Sequence, residues 1–443
     1  MADLAPPQRS SRTTTGTAVA ARWRWRIFAI TWLAYAGFYF VRQAFSVAKL
    51  GILEDPGVNT VLTEQVLGVI DAVYLAAYAV GQFLWGMWAD RFGPRVVVIG
   101  GMIGAIVAAC VMGVSSALLV FGGAMVLQGL AQSAGWAPLC KNMGSFFPVR
   151  QRGRVLGLWS TNYAFGGLTA PPFLGWIAYS LFDDWKVAFF AGAATLGVVL
   201  VLFVLLQKNS PRDAGIEEME GNESDGSDGD AAASGVASEP RGSGLALYRE
   251  TLRDPMVLTL GAAYFLLKPA RYAILLWGPV LVSRQLPGVD KVGAVLIPVA
   301  FGVAGVLAPV VVGWLSDKLF GSRRVPPCVL ALGLLTVTLS LFVPLTATGS
   351  VPVMIAVLAV IGLTVYAADS MISCVAAVDF GTDKGAGTAA GLVNGCGSVG
   401  AILGGLLPGF LSGGVLFTGF AAAALLAGLL MLPHWNRRPR ATA

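Results

Sequence analysis

Charge is scarce in this chain, at 12% of its 443 residues, and that scarcity decides its class. Soluble globular proteins carry about twice that share, so a soluble enzyme and a folded basic domain for nucleic acid are both excluded. Histidine is almost missing: His434, close to the C-terminus, is the only one. The five cysteines (Cys110, Cys140, Cys328, Cys374 and Cys396) form no CxxC pair and lie in or beside apolar runs, so they read as small hydrophobes without metal or disulfide duty. Carboxylates at hydrolytic spacing are absent too. The chain is therefore expected to be no enzyme and to hold neither a metal nor another cofactor. No short apolar run ending at a small-residue cleavage site precedes the first long one, so the first helix is expected to serve as its own targeting signal.

Long apolar runs are what the sequence does have. Hydrophobic residues make up 56% of it and the mean hydropathy is +0.73, which implies an integral membrane protein whose first partner is the lipid bilayer. Runs of about 20 apolar residues, the length a helix needs to span, start near Ile27, Val66, Val96, Ala117, Val155, Val187, Met256, Val292, Pro327, Val351, Gly385 and Gly414. The predicted organisation is a tail over 1–26, six helices over 27–207, a linker over 208–254, six helices over 255–432 and a tail over 433–443. The linker segment NSPRDAGIEEMEGNESDGSDGDAAASGVASEPRGSG is too polar to bury a core and reads as disordered. Most of the 30 lysines and arginines fall in the tails and the even-numbered connections. Lys49, Lys186, Arg284 and Lys291 are assigned to the odd-numbered ones. That asymmetry places both termini in the cytoplasm by the positive-inside rule, and the net charge of +6 reports topology.

Against this background two arginines stand out, Arg42 in TWLAYAGFYFVRQAFSVA and Arg271 in GAAYFLLKPARYAILLWGPVLV. A charged side chain at bilayer depth costs at least about 2.5 kcal/mol, so each must face a polar cavity. They stand almost as far apart in the chain as Asp90 in GMWADRFGPR and Asp317 in GWLSDKLFGSRR, as an internal repeat requires. Helical spacing extends the polar set. Tyr35 and Tyr39 share the face of Arg42; Asp71, Tyr74, Tyr78 and Gln82 share a face of the second span. Lys268 lies beside Arg271 on the seventh, with Pro269 between them, and Tyr366, Asp369 and Ser373 line one face of the tenth. Arginine forks bind phosphate or carboxylate in a bidentate manner, so two of them converging suggest a divalent oxyanion. Trp136 and Trp159 would supply an apolar wall. The alternatives are that Arg42 and Arg271 pair structurally with Asp71 or Asp369, and that Tyr35, Tyr39 and Tyr78 only pack.

Asp90 with Arg91 and Arg95, and Asp317 with Lys318, sit in matching short turns. They read either as gates that hold cations or helix ends in one conformation and release them in the other, or as solvated turn residues. Span eleven is crowded with glycine (Gly385, Gly387, Gly391, Gly395, Gly397, Gly400, Gly404, Gly405), and span five has a sparser set (Gly153, Gly157, Gly166, Gly167). Small residues let helices approach closely and slide.

Six plus six helices joined by a polar linker resemble the major facilitator superfamily. From about Trp32 to Leu411 the chain is similar to its organophosphate:phosphate antiporters. The resemblance rests on Tyr35-Ala-Gly-Phe-Tyr39-Phe-Val-Arg42-Gln-Ala-Phe45, Gly135-Trp136-Ala-Pro138, Arg152-Gly153-Arg154, Trp159 with Gly166-Gly167, Asp184-Trp185, Arg271-Tyr272 with Trp277 and Pro279, and Lys384-Gly-Ala-Gly-Thr-Ala-Ala-Gly391. It implies an all-α membrane protein of twelve transmembrane helices in two pseudo-symmetric six-helix bundles. It further implies exchange of a phosphorylated organic anion (sugar phosphate, glycerol phosphate or phosphoglycerate) for inorganic phosphate. Arg42 and Arg271 would be the phosphate-binding arginines, and Tyr35, Tyr39, Tyr78, Trp136 and Trp159 the aromatic pore lining. A monomer in a bacterial inner membrane is expected.

Departures from the glycerol-phosphate exchanger are Gln82 for a lysine, Tyr163 for a histidine, Lys268 for a tyrosine, and Ala368-Asp369 for a Gly-Pro pair. Lys268 could pair with Asp369, or Asp369 could meet an ammonium or hydroxyl on the substrate. Two other functions stay open: a proton-coupled symporter using Asp71 or Asp369, and a transporter-like sugar-phosphate sensor.

Overall fold

A computed structural model describes residues 12–147, 155–156, 158–215, 253–321, 323–376 and 386–436. The turn Arg152-Gly153-Arg154, Lys384 and Gly385, and most of the 208–254 linker lie outside the described residues. In the first half the helices are α1 (Arg12–Glu54), α2 (Glu64–Phe92), α3 (Pro94–Val114), α4 (Leu118–Ser133 followed by Trp136–Phe146), α5 (Thr161–Gly175, ending in a π-helical turn Trp176–Leu181) and α6 (Lys186–Leu206). In the second they are α7 (Pro255–Gln285), α8 (Lys291–Leu296 and Val299–Leu319), α9 (Val325–Ser340, then Phe342–Thr346), α10 (Val351–Ser370, then a π-helical turn Met371–Ala376), α11 (Ala386–Leu406) and α12 (Gly413–Met431). Among the described residues, nine are long and apolar enough to cross a bilayer. The other three, α1, α5 and α9, are interrupted by polar residues or breaks and complete a twelve-helix membrane fold.

Local chemistry sets the ends. Thr63, Asp254 and Asp290 accept a hydrogen bond from the backbone N–H of Val66, Met256 and Gly293 at the starts of α2, α7 and α8, satisfying groups the helix leaves open. Pro255 follows its cap directly, where a missing N–H does no harm. Gly93 turns α2 into α3 with φ +83°, in the region that favours glycine. The first helix begins earlier than expected. Its 43 residues make a rod of about 65 Å, roughly twice the hydrocarbon thickness, so its first turns extend the span beyond the membrane.

Packing reveals the symmetry. In the first half α1 lies against α5 and α6, α2 against α4, and α3 against α4 and α6; in the second, α7 lies against α11 and α12, α8 against α10, and α9 against α10 and α12. Each pair maps onto its counterpart by a shift of six helices. The contacts between halves obey the same relation, α2 with α11, α5 with α8, and α1 with α7. The two bundles therefore pair about a pseudo-two-fold axis.

Glycine permits the closest approaches, and the row on α11 divides by face. A first side-chain carbon at Gly400 would stand 2.2 Å from the Phe265 carbonyl oxygen of α7, and at Gly404 2.6 Å from that of Pro269. Gly405 instead faces Asp71 of α2. At Gly391 and Gly395 nothing would be met within 4 Å, so these two do not act as packing contacts. Gly400→Val should therefore force α7 from α11 and destabilise the fold by about 1–3 kcal/mol, as overpacking typically does. Gly391→Val should change stability by no more than about 0.5 kcal/mol. Thermal unfolding of the purified variants in one detergent checks the contrast.

Candidate substrate-binding site

Arg42 is the centre of the N-terminal half. Its guanidinium carbon lies 4.7 Å from the ring centre of Tyr39 and 4.9 Å from that of Tyr78, a sandwich that favours the cation electrostatically. Its Nε donates to Gln132 Oε1 at 2.9 Å, and the same oxygen accepts from the Tyr74 hydroxyl at 2.8 Å. Arg42 makes no ion pair with Asp71, and its buried Nη2 has no hydrogen-bond partner among the described residues. The Arg42 guanidinium, Tyr35 and the exposed Gln82 all approach the Tyr78 hydroxyl.

The C-terminal half repeats this plan with a difference. Arg271 Nη1 meets Asp369 Oδ2 at 2.9 Å, and Lys268 Nζ stands 3.3 Å from Oδ1, with side chains 12–16% exposed. Tyr366 lies under the Arg271 guanidinium at 4.3 Å, and Tyr264 under the Lys268 ammonium at 4.5 Å. Arg271 Nε is buried and has no partner among the described residues. In each half, then, an arginine on the first helix is held by a polar residue on the fourth, Gln132 or Asp369. Both fourth helices become irregular directly afterwards: α4 breaks at Ala134–Gly135, and α10 turns π-helical at Met371. Such irregular turns are frequent at functional sites.

Charge is thereby unequally distributed. Asp369 offsets one of its two cations, whereas neutral Gln132 leaves the charge of Arg42 whole. One uncompensated positive charge remains in each half, and a dianion between them would balance both. Tyr39 is within electrostatic reach of both arginines. A cavity of about 190 Å³ opens beside it, lined by Tyr39, Gln43, Tyr163, Arg271, Tyr366 and residues of α5 and α8. Arg42 stands behind Tyr39, toward α2 and α4, outside the wall of that cavity.

Trp136 packs on Tyr35 at 5.1 Å and reaches Tyr163 at 6.4 Å. Trp159, expected in the apolar wall, lies one layer behind Trp136. It is fully buried, stacks behind Trp136 at 5.3 Å, and donates its indole N–H to Thr31 at 3.0 Å, so it props the lining from behind. At the turns, the side chains of Asp90 and Asp317 lie outside the described residues. Arg91 covers Phe92, Lys318 covers Trp314, and Arg95 donates to the Val204 carbonyl, each within its own half.

Lys49 is the largest departure from expectation. Assigned to a connection, it lies inside α1 at 0% exposure, paired with Asp71 at 1%. Its ammonium also donates to the Leu276 carbonyl of α7 at 3.0 Å and sits 4.2 Å from the Trp277 ring. Ser46 donates to the Leu275 carbonyl nearby. Above them Glu64 pairs with Arg284, and Glu54 with Lys291 at 3.1 Å. These links join the halves at the end where α1 finishes and form a closed roof over the site. A sequence signal existed: Tyr35, Tyr39, Arg42, Ser46 and Lys49 follow one helical face. Gln128 and Gln132, one turn apart in the apolar α4, carried the same kind of signal.

The profile of the Major Facilitator Superfamily matches residues 31–405. Among known proteins, the membrane sensor protein UhpC of Salmonella typhimurium is 31% identical over 95% of this chain and 93% of its own length. The glycerol-3-phosphate transporter of Bacillus subtilis is 27% identical, with 95% and 94% covered, and a probable hexose phosphate transport protein of Chlamydia pneumoniae 28%, with 95% and 93% covered. Among solved structures, an inward-facing, unoccupied bacterial homolog of the human lysosomal transporter Spinster superposes with a TM-score of 0.64 over 93% of this chain and 95% of its own, at 14% identity.

Removing one member of a buried ion pair strands the other charge at a cost of about 3–5 kcal/mol, whereas replacing both by apolar residues is often neutral. Lys49→Met should therefore weaken the roof and expose thiols introduced at its interface, and Lys49→Met with Asp71→Leu should close it again. Labelling rates of a cysteine placed at Ser46 read the difference.

Proposed function

Because the chain belongs to the major facilitator superfamily and, within it, to the organophosphate:phosphate antiporter family, we propose that it exchanges a phosphorylated organic anion for inorganic phosphate by rocking its two halves about the site. The observation that carries this reading is the pair of buried, unpartnered guanidinium edges, Arg42 Nη2 and Arg271 Nε, one in each half. A desolvated N–H of a charged group without an acceptor is costly, and a phosphate dianion supplies acceptors to both. The named substrates of the relatives, glycerol 3-phosphate and hexose phosphate, are of this class.

Exchange follows from electrostatics. An empty site holds like charges on opposing halves, which resists closing around it; a bound dianion removes the repulsion and draws α1 toward α7, so that crossing prefers a loaded site. Lysines and arginines concentrate at the end that bears both termini, so that end faces the cytoplasm and the closed roof faces outward. A single chain contains the whole site, consistent with a functional monomer.

Proton coupling is less supported. Asp71 and Asp369 each lie against a cation, so neither offers an unpaired acid. A sensor reading draws on the 31% identity to a sensor protein; it requires binding without flux.

Labelled phosphate should enter proteoliposomes preloaded with phosphate and fail to enter empty ones. Arg42→Lys and Arg271→Lys should each lower exchange by about tenfold to a hundredfold, the equivalent of one charge-assisted hydrogen bond of about 1.5–3 kcal/mol. Uptake that collapses with an uncoupler would indicate proton coupling, and saturable binding with no flux would indicate a sensor.

A further inference from the structure

Gln43 follows Arg42 in the sequence but faces another way. It lies on the strip of α1 formed by Tyr39, Gln43 and Ser46, the three residues of that helix that line the cavity between α5 and α8. It is 2% exposed, and its amide hydrogen-bonds to none of the described residues. A buried amide normally has partners, so one aimed into a cavity marks a place where a ligand atom belongs.

The rest of the chamber sharpens the point. The hydroxyl protons of Ser46, Ser160 and Thr161 are committed to the backbone carbonyls of Leu275, Leu156 and Leu158. Much of the remaining wall is apolar, with Leu168, Pro171, Ile274 and Phe301 among its residues. Arg271 borders the same chamber, so a phosphate held by its guanidinium directs the ester's organic part inward. Gln43 is one turn from Tyr39 on α1, and both line the chamber that Arg271 borders.

We propose that Gln43 is a specificity-determining residue that reads a hydroxyl or carbonyl on the first carbons of a phosphate monoester, whose remaining skeleton packs against the apolar wall between α5 and α8. The inference rests on the phosphate-ester reading of the site and deepens it. An amide can donate to and accept from one hydroxyl, and a site built to bond a hydroxyl discriminates against the analogue that lacks it.

The test compares two esters that share a phosphate and three carbons and differ only in hydroxyls, with inorganic phosphate as the reference. Thermal stabilisation of the purified full-length protein is titrated with inorganic phosphate, glycerol 3-phosphate and propyl phosphate, for the natural sequence, Gln43→Leu and Gln43→Asn. The natural protein should prefer glycerol 3-phosphate to propyl phosphate. Gln43→Leu should shrink that preference at least about tenfold, and Gln43→Asn should retain part of it. A structural role would weaken all three ligands alike and leave the ratio unchanged, which would overturn the proposal, as would a natural protein that binds phosphate but shows no preference between the esters. Failure of all three ligands to stabilise the natural protein would instead remove the phosphate site itself.

Discussion

A guanidinium held at bilayer depth must be given partners by the protein, because lipid offers none. The fold is organised around two of them. Arg42 and Arg271 draw in the aromatic rings of Tyr39, Tyr78 and Tyr366 and the polar tips of Gln132 and Asp369. Yet each keeps one edge open. Partnering that is nearly but not fully complete would let a buried cation persist and still bind the proposed anion. Complete satisfaction would abolish the site, and none at all would be prohibitively costly.

The two halves solve this problem with the same geometry and different chemistry. Helix one and helix four of each bundle meet at the arginine, as the pseudo-two-fold packing requires, but the holder is an amide in one half and a carboxylate in the other. An amide orients a cation without neutralising it; a carboxylate does both. Lys268 restores the charge that Asp369 removes, so the C-terminal half presents a three-member cluster where the N-terminal half presents a single cation. Symmetric scaffolding with asymmetric charge gives a substrate two distinguishable ends to meet.

Closure over the site uses contacts that differ in kind from a hydrophobic core. The Lys49–Asp71 pair, the Leu275 and Leu276 carbonyls, and the Glu54–Lys291 and Glu64–Arg284 pairs are all polar. On opening, water can replace each of these polar partners. Glycines at Gly68, Gly405 and Gly409 bring α2 and the α11 end close enough for backbone contact there. Within each half, by contrast, close glycine packing and large buried rings keep the bundle rigid. The division between tightly packed bundles and a polar seam is what the proposed alternating access would use.

The number of spans and the two-fold repeat were legible in the amino-acid sequence, because hydrophobic length and helical periodicity are local properties, whereas α1 begins at Arg12, well before the expected Ile27. So was the identity of the two arginines, since a charge in an apolar run is conspicuous without any coordinates. Tertiary structure alone decided who partners whom. Asp71 takes Lys49 and leaves Arg42 to Gln132; Asp369 takes both Lys268 and Arg271; Trp159 lies behind the lining and Gln43 lies in it. These choices depend on how helices far apart in the chain rotate and cross, and a helical face read from one segment shows what it could meet, whereas only packing selects which neighbour it does meet.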